Sequence, residues 1–411
     1  MAELTLVLET ADGTFIRRIP DASPLPADDE RGYAVEDASR RAASVFGMPD
    51  FVFLPKQQRN GSGMRELGDG IVIVGSRAAV LQIKSREEAS CSVASKESSW
   101  LTKNIEKAHR QANGTIRRLT NTPAILTNAR GRSIIVAGAT YQWLSVVIVD
   151  HPEVPEGYLP PSGQGNTPAV VLMRRDWEFL FNHLYSTSAV LAYLHRVSGE
   201  RVKLGGEPRR YHEFALADLE AEPDPVAPEL AGLGPAVSTA RAPLNPAGRD
   251  DMAAHLLLRV IMEDIARTPL EEEREADRIK VLAELDSLPV EARTELGRTL
   301  LGFISALGSW TGEGIRTETR LVAPNPDAFT PMVFMVASQF NEDLRHHFHS
   351  RVDLFHYDLH GREAADRQGV VGVLLTPSHR LERLWDTTMF AVGGSHGYEP
   401  AAMEEVRATF A

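Results

Sequence analysis

The amino-acid sequence predicts an α/β protein, with a central mixed sheet flanked by helices, followed by a second, helix-rich domain. Three observations support this prediction. Two continuous apolar runs, residues 71–74 and 78–81, are joined by Gly75-Ser76-Arg77 and indicate a hairpin buried on both faces. Helical periodicity follows between Trp100 and Leu119. A proline-rich stretch over residues 216–250 then separates this region from further helical patterns.

Length and composition are typical of an ordered chain with more than one domain. At 411 residues the chain is too long for one ordinary core. Its 43% apolar and 24% charged residues are typical of globular proteins. We therefore expect an α/β domain over residues 1–215, a Pro/Ala-rich linker over 216–250, and a helix-rich domain ending in a small α/β unit over 251–411.

The first elements are predicted from turn signals and periodicity. Asp12-Gly13 is a hairpin turn between two alternating segments within residues 3–20. Apolar residues at helical spacing predict a helix from Tyr33 to Phe46, which Gly47 ends. A short strand, Phe51–Leu54, leads into the central hairpin.

The remaining elements alternate strands with helices and then become mainly helical. The predicted elements are strands at Ser133–Ala137 and Leu144–Val149, helices at Asp176–Arg196, Asp251–Arg267, Glu271–Leu285 and Val290–Leu307, and apolar runs at Pro331–Ala337 and Gly369–Leu375. This order is typical of an α/β or α+β domain followed by a helix-rich one.

The sequence contains no signal for export or membrane insertion. Its first residues alternate like a strand and lack a basic start followed by an apolar run. No stretch reaches the length of apolar chain that spans a bilayer, so we expect no membrane partner. Cys91 is the sole cysteine and cannot form an internal disulfide. These features favour a cytoplasmic protein.

The charge is acidic overall but basic in one region. A formal net charge of -12 argues against a surface that coats nucleic acid everywhere, because phosphate binding depends on dense Lys and Arg. Between residues 84 and 118 the balance reverses. The basic residues there are Lys84, Arg86, Lys96, Lys103, Lys107, Arg110, Arg117 and Arg118. A local basic groove is therefore compatible with the composition.

Three polar residues stand at the rim of the predicted hairpin. If the two strands pair through a tight turn at Ser76-Arg77, Asp69 lies near Lys84 across the ladder, and Gln82 shares the face of Lys84 because side chains alternate. Such groups among Ile, Val and Leu need compensation. A divalent cation with its waters is one form of compensation, and an ordinary Asp69–Lys84 ion pair is the other.

Asp69 followed by Gln82-Ile83-Lys84 resembles the Asp…(Asp/Glu)-x-Lys signature of the PD-(D/E)xK, or restriction-endonuclease-like, nucleases. Gln in place of the second acid resembles the Mrr-type variant. The helix after the motif, which contains Gln111, resembles one that carries a site-facing Gln in many members. Glu36 in the upstream helix resembles an acid contributed by several branches. The resemblance covers about residues 30–150 and implies a restriction-endonuclease-like fold.

The resemblance also implies roles for these residues. Asp69 and Glu36 would be Mg²⁺ or Mn²⁺ ligands, and Gln82 and the Ile83 carbonyl would add neutral oxygens. Lys84 would hold or activate the attacking water and stabilise the developing charge. For Glu36 the alternative is an i,i+4 pair with Arg40.

The basic helix supplies the expected contacts to nucleic acid. They are Lys103, Lys107, Arg110 and Gln111, and the alternative for each is a solvated helix face. DNA is the expected substrate, and RNA is left open. By family analogy the activity would serve restriction, anti-phage defence or repair. The C-terminal domain would bind a protein partner, sense an invader or form a homo-oligomer.

Two other function classes remain open. Gln at position 82 also fits a nuclease fold that has lost metal binding and acts as an interaction or regulatory protein. The C-terminal half could instead carry unrelated chemistry. However, Gly393-Gly394-Ser395-His396-Gly397 lacks a later histidine for a hydrolase triad. The histidines between His346 and His360 match no helical H-E-x-x-H pair.

Overall fold

The computed structural model describes residues 4–10, 13–54, 58–60, 63–65, 68–87, 94–163, 165–220, 242, 251–271, 274–288, 290–322, 330–364, 369–378 and 385–410. Cys91 and most of the predicted linker lie outside these residues. Within the linker, residues 216–220 are helical, and Ala242 donates a backbone hydrogen bond to Asp218.

Strands are distributed along the whole chain. They are β1 (Leu4–Thr10), β2 (Gly13–Ile19), β3 (Val52–Leu54), β4 (Gln58–Asn60), β5 (Gly63–Arg65), β6 (Gly70–Val74), β7 (Arg77–Ser85), β8 (Ala124–Asn128), β9 (Ser133–Val136), β10 (Gln142–Asp150), β11 (Ala169–Met173), β12 (Thr317–Val322), β13 (Met332–Ala337), β14 (Gly369–Pro377) and β15 (Trp385–Gly393).

Helices lie between these strands and dominate the region after β11. They are α1 (Arg31–Val45), α2 (Ala94–Asn121), α3 (Arg174–Leu184), α4 (Thr187–Arg196), α5 (Glu207–Glu220), α6 (Met252–Arg267), α7 (Glu275–Asp286), α8 (Val290–Gly308), α9 (Glu342–His360) and α10 (Pro400–Ala408). Among the described helices, none combines the length and apolarity needed to cross a bilayer.

The described residues fall into two compact units. The first comprises those within 1–221, 240–246 and 271–286, and the second comprises the rest. The segment 271–286, which the sequence prediction placed beyond the linker, therefore packs with the first unit. Its last residue, Asp286, accepts hydrogen bonds from the Ser186 hydroxyl and the Ser188 backbone N–H.

The first unit contains a mixed sheet with the strand order β11-β10-β7-β6-β3-β8-β9. Strands β7, β10 and β11 run parallel, and the remaining neighbours pair antiparallel. This confirms the predicted α/β class with a central mixed sheet and flanking helices. The hairpin β6–β7 lies inside the sheet, and its apolar side chains are buried, as continuous apolarity requires.

Helices cover both faces of this hairpin. On one face α2 packs through Ala112 and Ile116 against Ile71 and Val80. On the other face α1 approaches Gly70, where a Cβ atom would come within 3.6 Å of the Arg40 side chain. The side chains of the hairpin are therefore mostly buried except toward its open end, where Asp69 precedes β6 and Lys84 is the penultimate residue of β7.

One predicted helix proved to be two. The helix expected from Asp176 to Arg196 is interrupted at Tyr185, whose φ of 49° is left-handed. Ser186 then caps α4 by accepting a hydrogen bond from the Ala189 backbone N–H. The prediction was wrong because apolar periodicity continues across the break, whereas the Ser186 cap favours a new helix start.

The second unit combines helices with a four-stranded sheet in the order β12-β13-β14-β15. Strands β13 and β14 are parallel, and α9 connects them. Side chains of α9, among them Phe348 and Val352, pack against Val333 and Leu374. The histidine-rich stretch is therefore part of an amphipathic helix.

Candidate active site

The register of the central hairpin brings the three predicted site residues to one face. The ladder begins with Gly70 opposite Leu81, and the Asp69 backbone N–H donates to the Leu81 carbonyl at 3.1 Å. Because side chains alternate, Asp69, Gln82 and Lys84 share the face that also carries Ile71 and Val80. This is the face that α2 covers.

Asp69 and Lys84 are in direct electrostatic contact. The Lys84 Nζ lies 3.7 Å from the Asp69 Oδ2 and donates a hydrogen bond of 2.9 Å to the Ile83 carbonyl. The same Asp69 oxygen accepts a hydrogen bond of 2.5 Å from the Ile83 backbone N–H. The two side chains are only 18% and 19% exposed, so the pair is partly shielded from solvent. The Asp69–Lys84 ion pair, one of the two alternatives considered from the sequence, is therefore present.

Gln82 is the most buried of the three side chains, at 3% exposure. A Cβ atom on Gly68 would lie only 3.0 Å from the Gln82 Nε2, so the side chain of Gln82 is in close contact with Gly68. Gly68 also has a φ of 101°, a conformation that glycine tolerates and other residues avoid. The amide of Gln82 therefore packs beside the backbone that immediately precedes Asp69.

Arg40 is a site residue that the sequence prediction mentioned only as a partner of Glu36. Its Nη1 donates to the Asp69 main-chain carbonyl at 2.8 Å and lies 3.4 Å from the Glu36 carboxylate. The structure thus places Glu36 against Arg40, and the arginine links that acid to the Asp69 backbone. Helical i,i+4 spacing signalled the pair, but not the contact with Asp69.

The four predicted nucleic-acid contacts lie on one side of α2, within about 100° of one another around the helix axis. Lys103, Lys107 and Arg110 are exposed. Gln111 is partly buried, and its Oε1 is shielded from solvent and accepts no hydrogen bond from the described residues. It stands about 200° around the helix from His109, which contacts Ser145 on β10. Gln111 follows Lys107 by four residues and therefore lies beside it on the surface of α2.

Charged residues also cluster where the parallel strands end. Arg86, just beyond β7, forms an ion pair of 2.7 Å with Glu97, which lies 2.9 Å from the His151 Nε2. The hydrogen bond from Arg86 lowers the pKa of Glu97 below its usual value. These contacts join the end of β7, the first turn of α2 and the residue after β10.

A second group centres on Asp150, the last residue of β10. Its carboxylate contacts Arg31 at 2.5 Å and Arg174 at 3.0 Å. A cavity of about 250 Å³ opens beside it and is lined partly by His151, Arg174 and Arg175. The sequence patterns above did not predict this group. The available signal was polar residues directly after apolar strands, which meet at one edge when strands are parallel.

His109 is a titratable group on the buried face of α2. Its Nδ1 lies 3.0 Å from the Ser145 hydroxyl, and burial lowers its pKa to about 4. Between about pH 6.5 and 4, His109 is therefore protonated in the unfolded chain but neutral in the folded protein. This residue contributes a loss of stability as the pH falls through that window.

Replacing His109 by Gln is expected to reduce that acid sensitivity. Between pH 6.5 and 4.5 the free energy of unfolding of the wild type should fall more than that of the variant, by at most about 1.4 kcal/mol per pH unit. Urea unfolding at several pH values measures both slopes. The difference isolates His109, because buried Asp176, whose pKa burial raises to about 7, titrates in the opposite sense in both proteins. Equal slopes would contradict the prediction.

The donor set at the hairpin fits Mg²⁺ or Mn²⁺ in chemical type but carries little charge. It offers the Asp69 carboxylate, the Gln82 amide and the Ile83 carbonyl, and hard oxygen ligands suit both cations. Within the described part of the chain, no three His, Cys, Asp or Glu side chains form a group that could hold a metal ion. A cation at the hairpin would thus depend on one carboxylate and on neutral oxygens.

The fold and this geometry can be compared with known proteins. No family model, curated protein or solved structure matches the chain.

Proposed function

We propose that this protein is a metal-dependent nuclease that hydrolyses phosphodiester bonds, with DNA as its substrate and Mg²⁺ or Mn²⁺ as its cofactor. The single observation that carries the proposal is the convergence of the Lys84 ammonium, the Asp69 carboxylate and the Ile83 carbonyl at one rim of a buried hairpin. Gln82 is buried on the same face. An acid, an amide and an amine beside a basic helix are the groups that this hydrolysis needs.

The arrangement of elements supports a restriction-endonuclease-like interpretation of the first unit. Helix α1 carries Glu36, the hairpin β6–β7 carries Asp69 and Lys84, and α2 follows with Gln111. This is the order that the resemblance to PD-(D/E)xK nucleases implies. We propose this family relationship together with the activity, and restriction, anti-phage defence or repair as its setting.

In this proposal, different residues of the site would bind the cation and orient the attacking water. Asp69, Gln82 and the Ile83 carbonyl would hold the cation, and Glu36 would add charge if released from Arg40. When bound, the cation supplies Lewis acidity toward a phosphoryl oxygen. Lys84 would orient the attacking water and donate hydrogen bonds to the negative charge that develops during hydrolysis.

A cleavage assay tests the proposal. Plasmid, linear duplex, single-stranded DNA and RNA are incubated with the full-length protein, with Mg²⁺ or Mn²⁺ and with chelator. We expect cleavage that requires the cation and disappears in Asp69→Asn. Asp37→Asn, at a half-exposed α1 residue paired with Arg41, is the matched control and should retain activity. Cleavage that persists in chelator and in Asp69→Asn would overturn the proposed mechanism.

The exposed cations of α2 are expected to bind the phosphate backbone. Replacing Lys103, Lys107 and Arg110 together by Gln should weaken DNA binding and lower the slope of log K against log salt by about 2 to 3, because fewer counterions are released. Fluorescence anisotropy in chelator measures this without cleavage. A control variant with Arg41→Gln and Arg209→Gln removes exposed charge elsewhere. A slope that falls equally in the control would refute a specific role for α2.

A second candidate function is favoured by the ion pair itself. Asp69 already has the Lys84 ammonium as its counterion at 3.7 Å. Gln82 stands at the position where the nuclease signature has its second acid. Such a site suits a nuclease-fold protein that has lost metal binding and acts through interactions. Thermal unfolding with and without Mn²⁺ separates the two functions, because only a nuclease site is stabilised by the cation.

A further inference from the structure

We infer that the Lys84 ammonium acts as a tethered counterion at the proposed cation position, so that metal entry must displace it. This inference rests on the proposed function of the same site. It makes Lys84 a competitor of metal binding as well as a participant in hydrolysis. The expected consequence is that removing the Lys84 charge strengthens metal binding while it weakens cleavage.

The positions of two oxygen atoms support this inference. The Lys84 Nζ lies 2.9 Å from the Ile83 carbonyl oxygen and 3.7 Å from the Asp69 Oδ2. These are two of the ligands proposed for the cation. Mg²⁺ binds oxygen at about 2.0–2.1 Å, so a cation that contacts both atoms would occupy space beside or within that of the ammonium. Two positive groups cannot share this position without strong repulsion.

The charge balance leads to the same conclusion. Asp69 contributes one negative charge, and Gln82 contributes none. One carboxylate can neutralise the ammonium, but not the ammonium and a divalent cation together. The pair is also less than one-fifth exposed, so solvent screens the repulsion only partly. Lys84 must therefore move away from Asp69 when the metal binds.

Contacts that do not involve the ammonium hold Asp69 in place. The Ile83 backbone N–H donates to the Asp69 carboxylate, and Arg40 donates to the Asp69 carbonyl. Loss of the Lys84 charge therefore leaves the metal ligand oriented. This separates the inference from a purely structural role for the lysine, which would make the Lys84 variant bind metal less well.

Isothermal titration of the full-length protein with Mn²⁺ alone tests the inference. We expect Lys84→Met to lower the dissociation constant by about three- to tenfold relative to the wild type. Lys84→Arg keeps the charge and should show no gain. Lys280→Met, at an exposed lysine on α7, is the matched control and should bind Mn²⁺ like the wild type. Circular dichroism confirms that each variant is folded.

The possible outcomes separate this inference from the proposed function. If Mn²⁺ binding depends on Asp69 but Lys84→Met binds equally or less tightly, tethered competition is wrong and the nuclease proposal stands. If Lys84→Arg tightens binding as much as Lys84→Met, charge is not the cause and the inference also fails. If neither the wild type nor Lys84→Met binds Mn²⁺, both proposals fail.

Discussion

Replacement of Lys84 by Met is expected to reduce metal-dependent phosphodiester cleavage by about 10²- to 10⁴-fold, the usual loss when a group that handles the attacking water is removed. Methionine preserves much of the apolar stem of lysine and removes only the ammonium. The loss should appear in the rate at saturating Mn²⁺, because metal binding itself is not expected to weaken. Single-turnover cleavage of a labelled duplex measures this rate.

The matched control for this experiment is Lys103→Met. Lys103 is exposed on α2 and contacts the substrate only through its charge in the proposed function. Its replacement should affect the dependence of the rate on DNA concentration more than the maximal rate. Equal losses of maximal rate in the two variants would remove Lys84 from the reaction.

The second large effect concerns stability and centres on Asp150. Its buried carboxylate is shared by Arg31 and Arg174 at the end of β10. Replacing Asp150 by Ala leaves the buried Arg174 with Glu178 as its remaining acidic partner. We expect the free energy of unfolding of the first unit to fall by about 3 kcal/mol, because removing one partner of a buried ion-pair network leaves the remaining charges less well compensated.

Hydrogen exchange on peptides from β7 and β10, followed as urea increases, measures this loss in the first unit itself. Glu213→Ala provides the control. Glu213 forms an exposed i,i+4 pair with Arg209 on α5, and such pairs contribute little. Its removal should change stability by less than about 0.5 kcal/mol. A similarly small change in Asp150→Ala would show that solvent compensates Arg174.

The shared face of Asp69, Gln82 and Lys84 could be predicted because it depends on local sequence. The predicted turn at Ser76-Arg77 was wrong by one residue, because Val74 pairs with Arg77 and the turn is Gly75-Ser76. Gly75-Ser76-Arg77 sets a short connection, and two continuous apolar runs require burial on both faces. Given that turn, the period of two places Asp69, Gln82 and Lys84 on one face without knowledge of any other element. Their metal ligation, by contrast, came from a family resemblance and stays a prediction.

Contacts between distant segments could not be predicted in the same way. Arg40 reaches the Asp69 carbonyl from a helix on the opposite face of the sheet, and no sequence period relates the two positions. The parallel pairing of β10 with both β7 and β11 joins segments that are far apart in the chain, β7 and β10 being separated by α2, two strands and loops. That pairing creates the charged edge around Asp150, so the edge was missed together with the pairing.

Element boundaries show the same division between local and tertiary causes. The break at Tyr185 is reinforced by the bonds from Ser186 and Ser188 to Asp286, about 100 residues away. Asp286 is the last residue of α7, so the same bonds hold α7 against the first unit although it follows the proline-rich stretch. By itself, the sequence determined the α/β class, the buried hairpin and the shared face of three polar residues, because turns and side-chain alternation act within a few residues. Only the tertiary structure decided which distant groups contact these three residues, such as Arg40 at the Asp69 carbonyl. Such contacts depend on which faces of the elements are buried together.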